Sequence, residues 1–157
     1  MNDYERVIRV AADCTAVHAA LTTTDGLSAW WTTCTGSGQS EGELKFWFDG
    51  PQPCVMHVEE ATPSAVRWVV TDCDFLRDWV GTRPTFSVTP AGSDRCEIRF
   101  RHHGLTPELD CIEVCTQGWN HFIPSLRSYL ETGTGAPYGC AEDIARRKRR
   151  AGRAAAG

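Results

Sequence analysis

Residues 98–105, Ile98-Arg99-Phe100-Arg101-His102-His103-Gly104-Leu105, are followed by a segment in which apolar residues recur every three or four positions. In the quoted stretch Ile98, Phe100 and His102 alternate with basic neighbours, which is the period of a β-strand. The spacing of the following segment is that of an amphipathic helix. We therefore predict a strand over 95–103 and a helix over 108–131. This combination is typical of a curved sheet that grips one long helix and encloses a cavity.

The rest of the chain adds further strands and two short helices. Alternating patterns about ten residues apart predict an antiparallel sheet, with strands over 4–12, 43–48, 54–61, 65–72 and 82–89. Short helices are expected after Asp13 and after Thr24, and the polar segment 36–42 is expected to be a loop. Because 157 residues is the length of one domain, we predict a single α+β fold.

The connection over 72–80 carries three apolar residues, Phe75, Leu76 and Trp79, where a surface link would normally be polar. Such a segment either plugs the end of the core or forms a lid over the mouth of a cavity. The sequence leaves both alternatives open.

The charge of the chain is unevenly distributed. The formal net charge is -4, but six of the sixteen basic residues follow Asp143, whereas none of the twenty acidic residues does. The acidic body argues against nucleic acid as a partner of the folded part, because a phosphate-binding surface needs clustered Lys and Arg. We therefore expect a folded domain over 1–138 and a basic, disordered tail over 139–157.

Eight cysteines are spread singly along the sequence, without a CxxC motif. Cys111 and Cys115 lie four residues apart on the predicted helix, but no second pair completes a zinc site. The N-terminal residues lack the apolar segment of a secretory signal, and no run of about 18 apolar residues is present to span a membrane. We therefore expect reduced thiols, no intramolecular disulfide, no bound metal or cofactor, and a cytoplasmic location.

Several features, taken in their order along the chain, resemble one known family. They are the apolar face of the first helix, the Trp pair of the second, the opening of the sheet, and the last strand with its long helix. The residues that carry them are Ala12, Val17, Leu21, Leu27, Trp30, Trp31, Gly42, Leu44, Phe46, Trp68, Gly81, Thr82, Phe86, Phe100, His102, Gly104, Leu105 and the segment from Trp119 to Gly135. Through them the chain resembles the START-like superfamily, also called SRPBCC, and within it the homologues of the C-terminal domain of the activator of the heat-shock protein 90 ATPase.

The resemblance implies the helix-grip fold, whose seven-stranded antiparallel sheet has one strand more than the six predicted above. It also implies a hydrophobic pocket between the sheet and the long helix, which different relatives use for lipids, polyketides or plant hormones. A resemblance of this kind transfers the fold more securely than the activity.

The expected pocket residues follow from strand parity and from the apolar stripe of the helix; they are Trp68, Phe86, Ile98, Phe100, His102 and Trp119. His102 has a side chain suited to general acid or base catalysis. The alternative is a structural histidine that is hydrogen-bonded within the core. No nucleophile, metal or phosphate-binding motif accompanies it.

We therefore expect a non-enzymatic protein that binds a hydrophobic small molecule, such as a lipid, a polyketide or another aromatic compound, between the sheet and the long helix. Two alternatives remain open. A polyketide cyclase or dehydratase-like enzyme would need a polar partner for His102 in the cavity, such as Asp72 or Arg101. A co-chaperone-like protein that binds a chaperone would show a small cavity and a large exposed apolar patch.

Overall fold

The computed structural model describes residues 3–156, with side chains as far as residue 150. Its strands are β1 (Tyr4–Val10), β2 (Cys34–Gly36), β3 (Glu43–Phe46), β4 (Cys54–Thr62), β5 (Ala65–Cys73), β6 (Arg83–Pro90) and β7 (Cys96–His103). Its helices are α1 (Cys14–Thr22), α2 (Thr24–Trp30), α3 (Ile112–Thr132) and α4 (Ala141–Ala156), with a short 3-10 turn over Arg77–Trp79. The strands form one antiparallel sheet in the order β1-β7-β6-β5-β4-β3-β2, so the predicted α+β helix-grip architecture is confirmed.

The seventh strand is β2, which the sequence analysis did not find. It is three residues long and pairs with β3, Cys34 lying opposite Phe46. A strand this short shows no alternation from which it could be recognised. Gly36, at its end, adopts a φ of +106° against the backbone of Glu43, a conformation that favours glycine.

Helix α3 begins at Ile112, four residues later than predicted, because the residues after Pro107 form turns. Its buried residues recur at the predicted helical spacing and are Cys115, Trp119, Phe122, Ile123, Ser125 and Leu126. Ile112, the first residue of the helix, belongs to the predicted apolar stripe but is only half-buried. Gly133, with a φ of +84°, ends the helix. None of the helices within residues 3–156 is both long and apolar enough to cross a membrane.

The expected disorder of the C-terminal tail is wrong for residues 141–156, which form α4. The Asp143 carboxylate is fully buried and accepts hydrogen bonds from the Gly139 N–H at 2.9 Å and from Arg147 Nε at 3.0 Å. Arg146 pairs with the same carboxylate. Asp143, at the start of the basic segment, therefore holds the arginines that follow it. The overall composition of the segment does not show this interaction.

The expectation that the chain has no intramolecular disulfide is also wrong. The sulfur atoms of Cys14 and Cys96 are bonded, although 82 positions separate them in the sequence. The pairing of β1 with β7 sets Val10 opposite Cys96, and the short turn after β1 then brings the first residue of α1 beside it. The other six cysteines are free thiols.

Candidate functional site

The six residues predicted to line a pocket are all buried, and five of them form a solid core. The ring of Phe86 lies 5.2 Å from that of Trp68 and 4.9 Å from that of Phe100, measured between centroids. Phe100 in turn lies 4.5 Å from Trp119, and Ile98 is 1% exposed. Only Trp119 also lines the cavity described below.

His102 is enclosed by hydrogen bonds on both sides of its ring. Its Nδ1 accepts from Trp119 Nε1 at 3.0 Å, so the ring hydrogen is on Nε2. Nε2 then donates to Thr82 Oγ1 at 2.8 Å, and that hydroxyl donates to the carbonyl of Trp79 at 2.6 Å. Both ring nitrogens therefore have hydrogen-bond partners within the protein. His102 is thus a structural histidine, which was the alternative to a catalytic role.

The charge state of His102 follows from its position. Burial lowers the pKa of His102 to about 3, so the ring is neutral. The polar pair that a cyclase-like enzyme would need is not formed. Asp72 pairs with Arg77 at 3.2 Å, and Arg101 pairs with Asp3 at 3.0 Å.

A cavity of about 460 Å³ opens between the N-terminal half of α3, the connection between β5 and β6, and α4. This volume lies within the range of small-molecule sites, about 300 to 1,000 Å³. The residues that line it are Trp31, Phe48, Asp49, Gly50, Cys54, Cys73, Phe75, Leu76, Trp79, Val114, Cys115, Gly118, Trp119, Phe122, Tyr138, Arg146, Arg147 and Arg150.

The connection between β5 and β6 combines the two roles that the sequence left open. Trp79 is buried, donates its indole N–H to Cys115 Sγ at 3.0 Å, and lies in edge contact with His102, 4.9 Å between centroids. It therefore plugs the core and stands between His102 and the cavity. Phe75 is 48% exposed and lines the cavity with Leu76, so this part of the connection forms the rim.

The three cysteines of the cavity wall differ in the direction of their pKa shifts. Cys54 and Cys73 lie directly opposite each other on β4 and β5, and the hydrogen bond between their side chains raises the pKa of Cys54, as burial also does, and lowers the pKa of Cys73. Burial likewise raises the pKa of Cys115. Within the part of the chain that the structure describes, no three His, Cys, Asp or Glu side chains come together as a metal site.

Gly118 leaves space on the α3 wall of this cavity. A Cβ placed there would meet no atom within 4 Å outside its own helix. Alanine in place of glycine is normally favourable inside a helix, by about 0.5 to 1 kcal/mol. The position therefore accepts a side chain, which would project into open space.

The mouth of the cavity is basic, and sequence reasoning missed this feature. Arg146, Arg147 and Arg150 extend from α4 to the lining, where Asp49 is the single acidic residue. The guanidinium of Arg147 lies 4.3 Å from the centre of the Tyr138 ring. The available signal was an acidic residue followed at three and four positions by Arg146 and Arg147, which is helical spacing.

Comparisons with known proteins agree on the fold. A family model described as Activator of Hsp90 ATPase homolog 1-like protein matches residues 11–131. No curated protein sequence matches the chain. The solution structure of the Aha1 dimer from Colwellia psychrerythraea is 29% identical, covers 86% of this chain and 100% of that chain, and has a TM-score of 0.74.

Two more distant structures share the fold alone. DynU16, a protein of the dynemicin biosynthetic locus, is 18% identical over 86% of this chain and 49% of that chain, with a TM-score of 0.67. An HSP90 activator from Plasmodium falciparum is 15% identical over 82% of this chain and 95% of that chain, with a TM-score of 0.64. The arginine-bearing helix α4 begins after the last residue of the family match.

Proposed function

The chain belongs to the family of Activator of Hsp90 ATPase homolog 1-like proteins, and from this premise we propose that it binds a small hydrophobic molecule in the cavity beside α3. The observation that supports the proposal is the cavity of about 460 Å³, whose inner wall is formed by aromatic side chains such as Trp31, Trp119 and Phe122. Concave sites with mainly apolar walls and few polar groups are typical of small-molecule binding.

The walls favour binding over catalysis. His102 is separated from the cavity by Trp79, and the raised pKa values of Cys54 and Cys115 keep these two side chains as neutral thiols. General acid–base chemistry requires a titratable group within hydrogen-bonding reach of the substrate. The inner wall instead offers ring faces and aliphatic groups, which bind apolar molecules by excluding water.

The proposal is tested by filling the cavity from Gly118. The neutral fluorescent probe N-phenylnaphthylamine is titrated into the wild type, Gly118→Ala and Gly118→Trp. We expect saturable micromolar binding to the wild type and to Gly118→Ala. Because the indole would occupy the cavity, Gly118→Trp should bind at least about tenfold more weakly, a loss of about 1.4 kcal/mol.

The alanine variant is the matched control, since it changes the same position and leaves the cavity open. Circular dichroism and thermal melts would verify that both variants keep the fold. Absence of saturable uptake by the folded wild type would overturn the proposal, as would equal affinity of the wild type and Gly118→Trp.

A second candidate is stimulation of an Hsp90-type ATPase. It is supported by the family match and by the 29% identity to Aha1. The exposed apolar side chains Phe75 and Val80, both in the connection between β5 and β6, are suited to a protein contact. This candidate implies a cytoplasmic location, where the Cys14–Cys96 disulfide would be exposed to reduction.

Purified Hsp90 from the same host provides the test. Stoichiometric addition of the protein should raise its ATPase rate, and Gly118→Trp should retain the effect because the cavity interior takes no part. An unchanged ATPase rate would remove this candidate and leave ligand binding unaffected.

A further inference from the structure

We infer that the ligand is an amphipathic anion, with an apolar body inside the cavity and an acidic oxyanion group against Arg146, Arg147 and Arg150 at the mouth. The inference rests on the proposed function, since it specifies what the same cavity binds. It is carried by the charge at the mouth, by the unmet hydrogen-bonding capacity of Arg150, and by the fixed positions of Arg146 and Arg147.

The charge at the mouth is locally positive in an otherwise acidic protein. Three arginines line the cavity together with one acidic residue, Asp49. Asp143 neutralises part of this charge through its contacts with Arg146 and Arg147, but its side chain is fully buried and does not line the cavity. A surface of this sign in a chain of net charge -4 favours an anionic ligand over a neutral or cationic one.

Arg150 has unused hydrogen-bonding capacity. It lines the cavity and forms no ion pair with any acidic side chain among the described residues. Since a guanidinium matches a carboxylate or phosphate with two parallel hydrogen bonds, a ligand oxyanion supplies the kind of acceptor that Arg150 lacks.

Two of the three arginines are already held in place before any ligand arrives. Asp143 binds both Arg146 and Arg147, and their guanidinium groups lie over the rings of Phe122 and Tyr138. Side chains that are ordered in advance lose less entropy on binding. The mouth is therefore organised for an anionic head group directly above an apolar cavity.

The test compares two probes with the same aromatic body. Anilinonaphthalene sulfonate carries a negative charge, and N-phenylnaphthylamine lacks it. We expect the wild type to bind the sulfonate more tightly and to lose that preference as salt is raised. Because Arg150→Gln removes a charge-assisted hydrogen bond to the sulfonate, it should weaken sulfonate binding about tenfold and leave binding of the neutral probe unchanged.

Matched variants distinguish the effect of the arginines at the cavity mouth from the effect of the total charge of the chain. Arg149→Gln removes the same charge from an exposed residue of α4 that does not line the cavity, and it should bind both probes as the wild type does. Asp49→Asn removes the one acidic lining residue, which is itself largely exposed, and should strengthen sulfonate binding only.

The outcomes separate the inference from the proposed function. Equal affinity for the two probes, or equal losses in Arg149→Gln and Arg150→Gln, would overturn the anionic ligand while leaving a hydrophobic cavity. A failure of both probes to bind the folded wild type would overturn the proposed function itself. Competition by decanoate but not by decanol would extend the result from an aromatic to an aliphatic acid, and competition by both alcohol and acid alike would count against the inference.

Discussion

Trp119 donates its indole N–H to Nδ1 of His102 across 3.0 Å, and this bond joins the centre of α3 to the end of β7. On the other side of the ring, Nε2 donates to Thr82. Protonation of His102 would put a hydrogen on Nδ1 and remove the acceptor that Trp119 uses. The neutral state of this histidine is therefore a condition for the packing of helix against sheet.

We expect the protein to lose stability in mildly acidic solution because of His102. Burial lowers the pKa of His102 from 6.5 to about 3, so the unfolded chain takes up this proton at a higher pH than the folded one. The contribution is fully present above pH 6.5 and is lost as the pH falls toward 3. Between pH 7.5 and pH 5 the loss should be about 2 kcal/mol, measured by denaturant unfolding.

Substitution shows whether this loss belongs to His102. His102→Gln should be less stable at pH 7.5 but should show a flatter pH dependence than the wild type. The neighbouring His103→Gln, at an exposed position, should retain the wild-type dependence. An unchanged pH dependence in His102→Gln would contradict the assignment.

Trp119→Ala should cost about 3 to 5 kcal/mol of folding free energy, the usual range for a large buried aromatic side chain. Trp119 is 2% exposed, and its loss also leaves His102 Nδ1 without a donor. Chemical denaturation measures the change. Trp47→Ala is the control, since Trp47 is half-buried and outside the core, and it should cost less. A loss below about 1 kcal/mol for Trp119→Ala would be incompatible with its buried role.

The disulfide predicts six titratable thiols in the unfolded, unreduced protein. Cys14→Ser should lower stability, because the bond closes a loop of 82 residues, for which chain entropy gives about 4.5 kcal/mol. Reductant should destabilise the wild type to a similar extent and leave Cys14→Ser unchanged. Cys140→Ser, outside the pair, serves as control. Eight free thiols would show that the bond is not formed.

Asp143→Asn should release α4 from the cavity mouth. Burial by itself would raise the pKa of Asp143, but the hydrogen bonds from Gly139 and Arg146 and the charges of Arg146 and Arg147 lower it below its ordinary value of 3.8. The carboxylate therefore stabilises the folded state above that pH, and its contribution is lost as the pH falls through the lowered pKa. Hydrogen exchange should show amides of residues 141–150 exchanging at least about tenfold faster in Asp143→Asn, equivalent to about 1.4 kcal/mol.

Glu142→Gln is the matched control for this change. Glu142 is exposed and lies next to Asp143 in the first turn of α4, so its exchange should stay close to that of the wild type. Equal protection of residues 141–150 in Asp143→Asn and the wild type would mean that other contacts hold the helix.

The fold could be predicted from periodicity wherever an element is long enough to show it. β7 and α3 were placed within a few residues, because their apolar faces extend over at least two full periods. β2 was not predicted, because three residues are too few to show an alternating pattern. The Cys14–Cys96 bond was not predicted, because it depends on the register of β1 with β7, which no local pattern specifies.

The site was less predictable than the fold, because the sequence does not show how much of the space inside the sheet is filled by side chains. Parity correctly placed Phe100 and His102 on the inner face of the sheet, but it does not tell whether that face is filled. The ring of Trp119 packs against Phe100, and the ring of Trp31 lies 4.9 Å from that of Trp119, so the cavity lies farther along the sheet, beside Cys54 and Cys73. Such packing depends on side chains that lie far apart in the sequence.

The apolar wall and the basic mouth are encoded in separate parts of the chain. The family match ends at residue 131, whereas the arginines of the mouth belong to α4, which starts at Ala141. The two parts meet where the guanidinium of Arg146 lies over the ring of Phe122. Under the inferred binding mode, exchange of the segment after residue 131 would change which head group is bound, while the aromatic wall stays the same.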